Sequence, residues 1–275
     1  MTLATMSLKA VCLEAAVAGC EAEVYVNDIP LGRIGGELSP LPDRFGMTVS
    51  DYVVNGPNRI ELVLFPGERP SLARAPQGNK DTAGVMAWIR LAEYDAGVAI
   101  GDGGYTLHEL FYDGDQGEQP APIVVGDGVS VSSQFSTPWA WERAEPLVMS
   151  GALIGEATRF VEDLWHVMST RDVAGQNALS ELNVREGCTA YGSDYRQTRA
   201  EHNAMLGDIF GDPTFAMRAL AHETFDFRLC ANNRLVECVG RDWKPVVVSA
   251  PDAGGTVMRV PLFLGRINGR LAWLR

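Results

Sequence analysis

The sequence predicts a chain of two domains, an all-β antiparallel sandwich over 1–147 and an α+β domain over 148–275 with three helices and a curved antiparallel sheet. Three observations carry this expectation. Residues 7–150 carry strand signals and few helix signals, short alternating runs closed by Gly, Pro and Asn turns, the pattern of antiparallel strands. Near residue 150, beside Pro146, the apolar period lengthens from two residues to about 3.6. After Pro213 it shortens to two again.

In the first part, Ser7 to Leu13 opens the series of strands. Ala22-Glu23-Val24-Tyr25-Val26 alternates more regularly and runs into Asn27-Asp28, a turn pair. Asn58 to Phe65 reads as a strand closed by Pro66-Gly67. Ala83 to Tyr94 fits a strand or a short helix by period; Trp88, Ile89 and Leu91, and its place between two loops, decide for a strand. Ile123-Val124-Val125 and Val129 to Phe135 are expected as two further short strands, and 66–82 and 112–122 as mobile loops.

In the second part, Leu153, Ala157, Phe160, Val161, Leu164, Trp165 and Met168 form one helical stripe, with Glu156, Arg159, Glu162, Asp163 and His166 on the other side. A second helix is expected from Val173 to Ala190. A third is expected from Thr198, where Glu201 three residues on would complete a capping box, to about Phe210. Phe225 to Cys230 and Leu235 to Val239 read as strands joined at Asn232-Asn233. Pro245 to Val248 reads as another, and Val257 to Arg266 is expected to pair with Leu271 to Leu274 through Asn268-Gly269.

The chain is long for one core and ordinary for two, with 275 residues. At 46% hydrophobic and 21% charged, it carries enough apolar side chain to offset the ordering entropy. The net charge of −12 repels phosphate, which argues against nucleic acid and anionic membranes as partners. Such a charge suits a basic partner, although ordinary solubility explains it as well. No apolar run reaches the ~18 residues of a membrane span. Val17-Ala18-Gly19-Cys20 has the form of a lipoprotein cleavage site, but Lys9 is the only base before it and Glu14 interrupts the apolar stretch. The expected location is the cytoplasm. Cys12, Cys20, Cys188, Cys230 and Cys238 are odd in number and contain no CxxC pair, so neither a disulfide framework nor a zinc site is expected.

Val24-Tyr25-Val26-Asn27-Asp28, Leu31-Gly32, Gly35-Gly36, Val49 to Val53 and Asn55-Gly56-Pro57-Asn58-Arg59-Ile60-Glu61-Leu62 run in an order that resembles the galactose-binding-like jelly roll found beside glycosidase domains. Asp28 stands where that family has Gly, and Pro57 is inserted. The resemblance implies a fold rather than sugar binding. Three helices followed by a sheet ending in Leu264-Gly265-Arg266-Ile267-Asn268-Gly269-Arg270-Leu271-Ala272-Trp273-Leu274 resemble the NTF2-like (cystatin-like α+β) superfamily. That resemblance implies an apolar pocket between sheet and helices, in which the family's enzymes place Asp, His or Tyr.

The candidate site residues are therefore Tyr191, Tyr195, His202, Asp208, His222, Asp226 and Arg228. A buried carboxylate beside Tyr or His suits proton transfer, because burial raises its pKa. Asp226 and Arg228 share one strand face, opposite Phe225, Phe227 and Leu229. If that face points into the pocket they suit an anion; if the phenylalanines face the core they are exposed. Asp113-Gly114-Asp115-Gln116-Gly117-Glu118 lacks the fifth-position acid and the twelfth-position Glu of a calcium loop. Trp139, Trp141 and Tyr112 suit core packing, or sugar stacking if exposed. No nucleophile elbow, phosphate loop or cofactor motif is present, so no metal or cofactor is expected.

Three functions are compatible with these residues. The first is a non-catalytic binding or scaffolding protein that docks a second copy or a protein partner through its C-terminal sheet. That sheet carries more apolar side chains than helices on one face can cover: Val246, Val248, Val257, Met258, Val260, Leu262, Phe263, Leu264, Leu271, Trp273 and Leu274. The alternatives are an NTF2-like isomerase or dehydratase acting on a small molecule, and a carbohydrate-binding accessory protein. A buried acid with a raised pKa would favour the first alternative, and paired exposed aromatics on the sandwich the second.

Overall fold

The computed structural model describes residues 9–35, 42–66, 78–95, 98–101, 103–114, 117–132, 137–240, 244–252 and 254–275. Among the described residues the regular structure is mostly antiparallel β-sheet with four α-helices, a mixed α+β class. The chain divides into two compact units, Met1–Pro138 and Trp139–Arg275.

The first unit contains β1 (Ala10–Ala18), β2 (Cys20–Val26), β3 (Ile29–Ile34), β4 (Asp43–Thr48), β5 (Gly56–Pro66), β6 (Gly78–Asp81), β7 (Met86–Tyr94), β8 (Tyr105–Asp113), β9 (Glu118–Ala121) and β10 (Ile123–Val131). They form two four-stranded sheets, β4-β1-β7-β8 and β10-β5-β2-β3. Alternate residues of both sheets meet in one apolar core: Leu13, Ala15 and Val17, Ala87, Ile89 and Leu91, Val24 and Val26, Ile60, Leu62 and Leu64. Asn27 and Asp28 take positive φ of 52° and 63°, the backbone of a tight β2–β3 turn. Buried Asn58 locks the entry to β5. Its Oδ1 accepts from Val54 N at 2.7 Å and Asn27 Nδ2 at 2.8 Å, and its Nδ2 donates to Val54 O and Gly56 O at 2.9 Å each.

Three expectations change in this unit. Ile123–Val131 is one strand, paired with β5 from Ile123↔Leu64 to Val131↔Gly56. Gly126, inside this strand, serves close approach: a Cβ there would stand 2.9 Å from Ile60 O. Phe135, placed in the second of the two expected strands, lies outside the described residues, as do Ser7 and Leu8. The two stretches expected as loops contain β6 and β9, which pair with each other, and the end of β8. Residues 67–77, 115 and 116 of those stretches lie outside the description.

The second unit begins with α1 (Ala140–Arg143) and continues through α2 (Gly151–Ser169), α3 (Val173–Tyr191) and α4 (Tyr195–Gly211). Ser150 caps α2 by accepting from Leu153 N at 3.2 Å. Leu153, Ala157, Val161, Leu164 and Met168 are buried, one stripe against the core, while Phe160 and Trp165 at its margin are half-buried. Trp165 Nε1 donates to Arg218 O at 2.6 Å, which suits an amphipathic ring at a core edge. The third helix starts three residues before Thr198, because Asp194 already caps it, accepting from Gln197 N at 2.8 Å. Leu147 joins this unit's core, so the segment around Pro146 packs with the helices and sheet of the second unit.

A 3₁₀ turn at His222–Thr224 leads into β11 (Phe225–Cys230), β12 (Leu235–Gly240), β13 (Val247–Val248), β14 (Arg259–Val260), β15 (Phe263–Ile267) and β16 (Arg270–Trp273). The main sheet runs β11-β12-β15-β16, and β13 pairs separately with β14. The single strand expected over 257–266 is therefore two, divided at Pro261, which has no N–H for a ladder. Residues on both faces of the main sheet meet packed neighbours within the unit. Val236, Cys238 and Leu264 pack with α2 on one face. On the other, Gly265 is walled by Leu274, Leu235 and Ala144, so closely that a Cβ would lie 2.5 Å from Leu274 Cδ1. Every apolar side chain expected to need a docked partner here is buried or half-buried. Glu186 and Arg275 tie α3 to the chain end: Arg275 Nη1 donates to Glu186 Oε2 at 2.7 Å, and the other carboxylate oxygen accepts from Ala140 N. Trp139 and Trp141 are buried, which removes them as sugar-stacking rings; half-buried Tyr112 donates to Gln119. No described helix is long and apolar enough to cross a membrane.

Candidate functional site

The stripe that buries α2 leaves the next column of that helix, Ile154 and Thr158, facing the rim of the sheet. β11 is the edge strand, and Phe225, Asp226 and Phe227 stand across from that column. Met149, before the helix cap, and His222, from the 3₁₀ turn, close the ends of the resulting cleft of about 370 Å³. That volume falls in the range of ligand pockets. The His222 ring lies 5.0 Å from Phe225, centroid to centroid, and Phe225 meets Phe227 edge-on at 6.4 Å. His222 Nε2 is 2.9 Å from Glu162 Oε1. Asp226 Oδ1 accepts the Phe227 N–H at 2.9 Å. Val148, the neighbour of Met149 in the chain, is 78% exposed, and Glu223, the neighbour of His222, is exposed.

The sequence candidates do not converge on one point. His222 and Asp226 share this cleft. Tyr191 and His202 share a second, of about 300 Å³, between α3 and α4. Arg228 is committed to Glu237 on the neighbouring strand, its side chain 14% exposed, so the Asp226–Arg228 anion site is not formed. The phenylalanines do face the core, yet the opposite pair is half-buried rather than exposed. Tyr195 donates to Glu181 Oε2 at 2.5 Å and lies under the Arg185 guanidinium, 4.2 Å from ring to cation. The Tyr195 hydroxyl, then Arg185 and Arg199, hold the Glu181 carboxyl below its ordinary pKa. That network joins α3 to α4 and lines neither cleft. Asp208 is exposed.

The α2–β11 arrangement can hold an apolar group against the rings of Phe225 and Phe227, with the Glu162 carboxylate nearby at His222. Met149, Ile154 and Thr158 were missed by the sequence reading. Of the three only Ile154 carried a signal, an apolar side chain one step off the buried stripe. Among the described residues, no group of three or more His, Cys, Asp or Glu is placed to hold a metal ion. Comparison of the chain with protein families, with characterised proteins and with solved structures finds no match.

Proposed function

We propose that this chain is a non-catalytic binding protein whose α2–β11 cleft takes an apolar side chain from a partner polypeptide bearing adjacent Lys or Arg. The wall of the cleft carries the reading: the apolar residues Met149, Ile154, Phe225 and Phe227 line it, with Asp226 between the two phenylalanines in the strand. Glu162 reaches the cleft's His222, and Glu223 is the next residue in the chain, on a protein of net charge −12. A second copy would bring its own acidic rim against this one, so a basic segment is the better complement. Because Asp226 already occupies the Phe227 N–H, the partner is anchored by its side chains rather than by adding a strand to β11.

In this reading the halves are domains, a jelly-roll-like sandwich and an NTF2-like α+β fold. The two sheets around one core support the first, and a cleft between helix and sheet supports the second. Five free thiols suit a reducing, cytoplasmic setting. A carbohydrate-binding reading has one observation of its own: Phe111, 73% exposed, lies directly across from half-buried Trp88 in the β7–β8 ladder.

The test is fluorescence anisotropy with labelled 15-residue peptides, one set alternating Leu and Lys, one alternating Leu and Glu. The basic set should bind, and Ile154→Glu, at a part-exposed position, should weaken it more than tenfold. Equal binding of both sets, or binding indifferent to Ile154→Glu, would remove the proposal. A dimer by light scattering that Ile154→Glu dissociates would replace the basic partner with a second copy.

A further inference from the structure

The outward face of the β4-β1-β7-β8 sheet divides into rows, because directly paired residues of antiparallel strands point to the same side. One row runs Arg44, Ala16, Trp88, Phe111 from edge to edge. The next runs Gly46, Glu14, Arg90, Glu109. The chain itself covers the end of the face beyond them. Gly101 N donates to the Tyr94 hydroxyl at 3.1 Å, and Arg90 Nη2 donates to the carbonyls of Gly103 and Gly104 at 3.1 and 3.0 Å, beside buried Cys12, Ala92 and Tyr94.

The other end of the face stays open, and it is apolar where the solvated side of an antiparallel sheet is ordinarily polar. Phe111 is 73% exposed and Met86, two residues before half-buried Trp88, is 52% exposed. Charge divides this open end by edge. Arg44, on edge strand β4, is exposed, and its guanidinium ion-pairs with no described residue. On the opposite edge, exposed Glu109 and Asp113 stand two residues to either side of Phe111 in β8. Trp88 Nε1 donates to Glu109 at 2.5 Å, which draws the indole toward β8. Ala16 is the small member of the row, between Arg44 and Trp88.

We propose that this open half-face is where a second copy of the chain docks, about a two-fold axis running along the strands between β1 and β7. Sheets packed face to face keep their strands within about 30° of each other, so the rows of the two copies oppose one another. The two-fold reverses each row. Arg44 of one copy then falls over Phe111 of the other, with Glu109 and Asp113 of that copy on either side, and Trp88 falls over Ala16, large on small. A cation over a ring and between two carboxylates is favourable, and the symmetry makes the contact twice. Chains of net charge −12 repel one another in general, but here opposite signs meet. A sugar stacked on the same rings would leave Arg44 without a role, and a second copy uses it. The surface lies in the first unit and is independent of the peptide-binding reading of the α2–β11 cleft.

The open strip is small, so the dimer is weak, and the experiment is sedimentation equilibrium of the full chain up to about 1 mM. The chain should dimerise over that range. Arg44→Glu and Asp113→Lys, both at exposed positions, should each weaken the dimer more than tenfold, because each sets like charges together twice. Circular dichroism should be unchanged in both. An equimolar mixture of the two variants should dimerise again, since Glu at 44 of one then meets Lys at 113 of the other, and Arg44 of the second meets Asp113 of the first. Ile154→Glu should leave this dimer intact. A mixture that stays monomeric, a dimer indifferent to both charge reversals, or one that Ile154→Glu dissociates would overturn the proposal. So would a wild-type chain that remains monomeric at about 1 mM. If the tryptophan emission of such a monomer answered to added glucose oligosaccharides, the face would belong to a sugar instead.

Discussion

Leu164→Ala should destabilise the second unit by about 3–5 kcal/mol. Leu164 is fully buried on the α2 stripe, in a cluster with Val161, Met168, Val236 and Leu264. The substitution removes three carbons, worth about 0.8 kcal/mol each in lost transfer energy, or about 2.4 kcal/mol. The cavity adds to this, because a helix fixed at both ends by packed neighbours and a sheet behind it relax only in part. The assay is urea unfolding followed by tryptophan fluorescence. Five of the six tryptophans lie within 139–275, so the signal reports mainly on this unit. The midpoint should fall with the slope unchanged, the mark of an altered native state rather than an altered unfolded one. Asp163→Ala, one residue away and exposed, should shift stability by no more than about 0.5 kcal/mol. A Leu164→Ala loss below about 1 kcal/mol would mean that the stripe is not the core contact of α2.

Asn58→Ala should cost the first unit about 2–4 kcal/mol by thermal unfolding, since it strands the Val54 N–H and the Asn27 amide that Asn58 now satisfies; a change within about 0.5 kcal/mol would refute that role. Alkali should destabilise the same unit. Burial, and then Glu14, push the Cys12 thiol up to about 11, and burial, and then Glu21, push Cys20 up to about 12, against an ordinary value of 9.0. Below pH 9 both states hold these protons, so the contribution is fully present. Above it the unfolded chain releases them first, and stability falls until the folded thiols ionise at about 11–12. Urea midpoints at pH 8, 9, 10 and 11 should trace this fall, and replacing both cysteines with alanine should flatten it.

The features legible in the sequence are those that act over a few residues. The alternation of 58–65 and 225–230, the stripe from Leu153 to Met168, and the turns at Asn27-Asp28 and Asn268-Gly269 each arise from side-chain period or from residues that tolerate positive φ. Competition between local signals was already harder: Thr198 with Glu201 is a sound capping pattern, but Asp194 came first along the chain and took the role. Tertiary structure decided whatever depends on a distant partner. β10 continues through Gly126 because β5 holds it in register, and Pro261 divides a strand only because β14 then finds β13 rather than β12. Which of the sheet's apolar side chains find cover inside the unit was also decided there, as where Leu235, Gly265 and Ala144 meet. The clefts belong to the same class. Ile154 and Phe227 lie 73 positions apart in the chain, and Gly187 and His202 lie on different helices. Period and turn chemistry carry no information about such meetings, because the energy that creates them, burial of one element's surface against another's, exists only once the chain has folded back on itself.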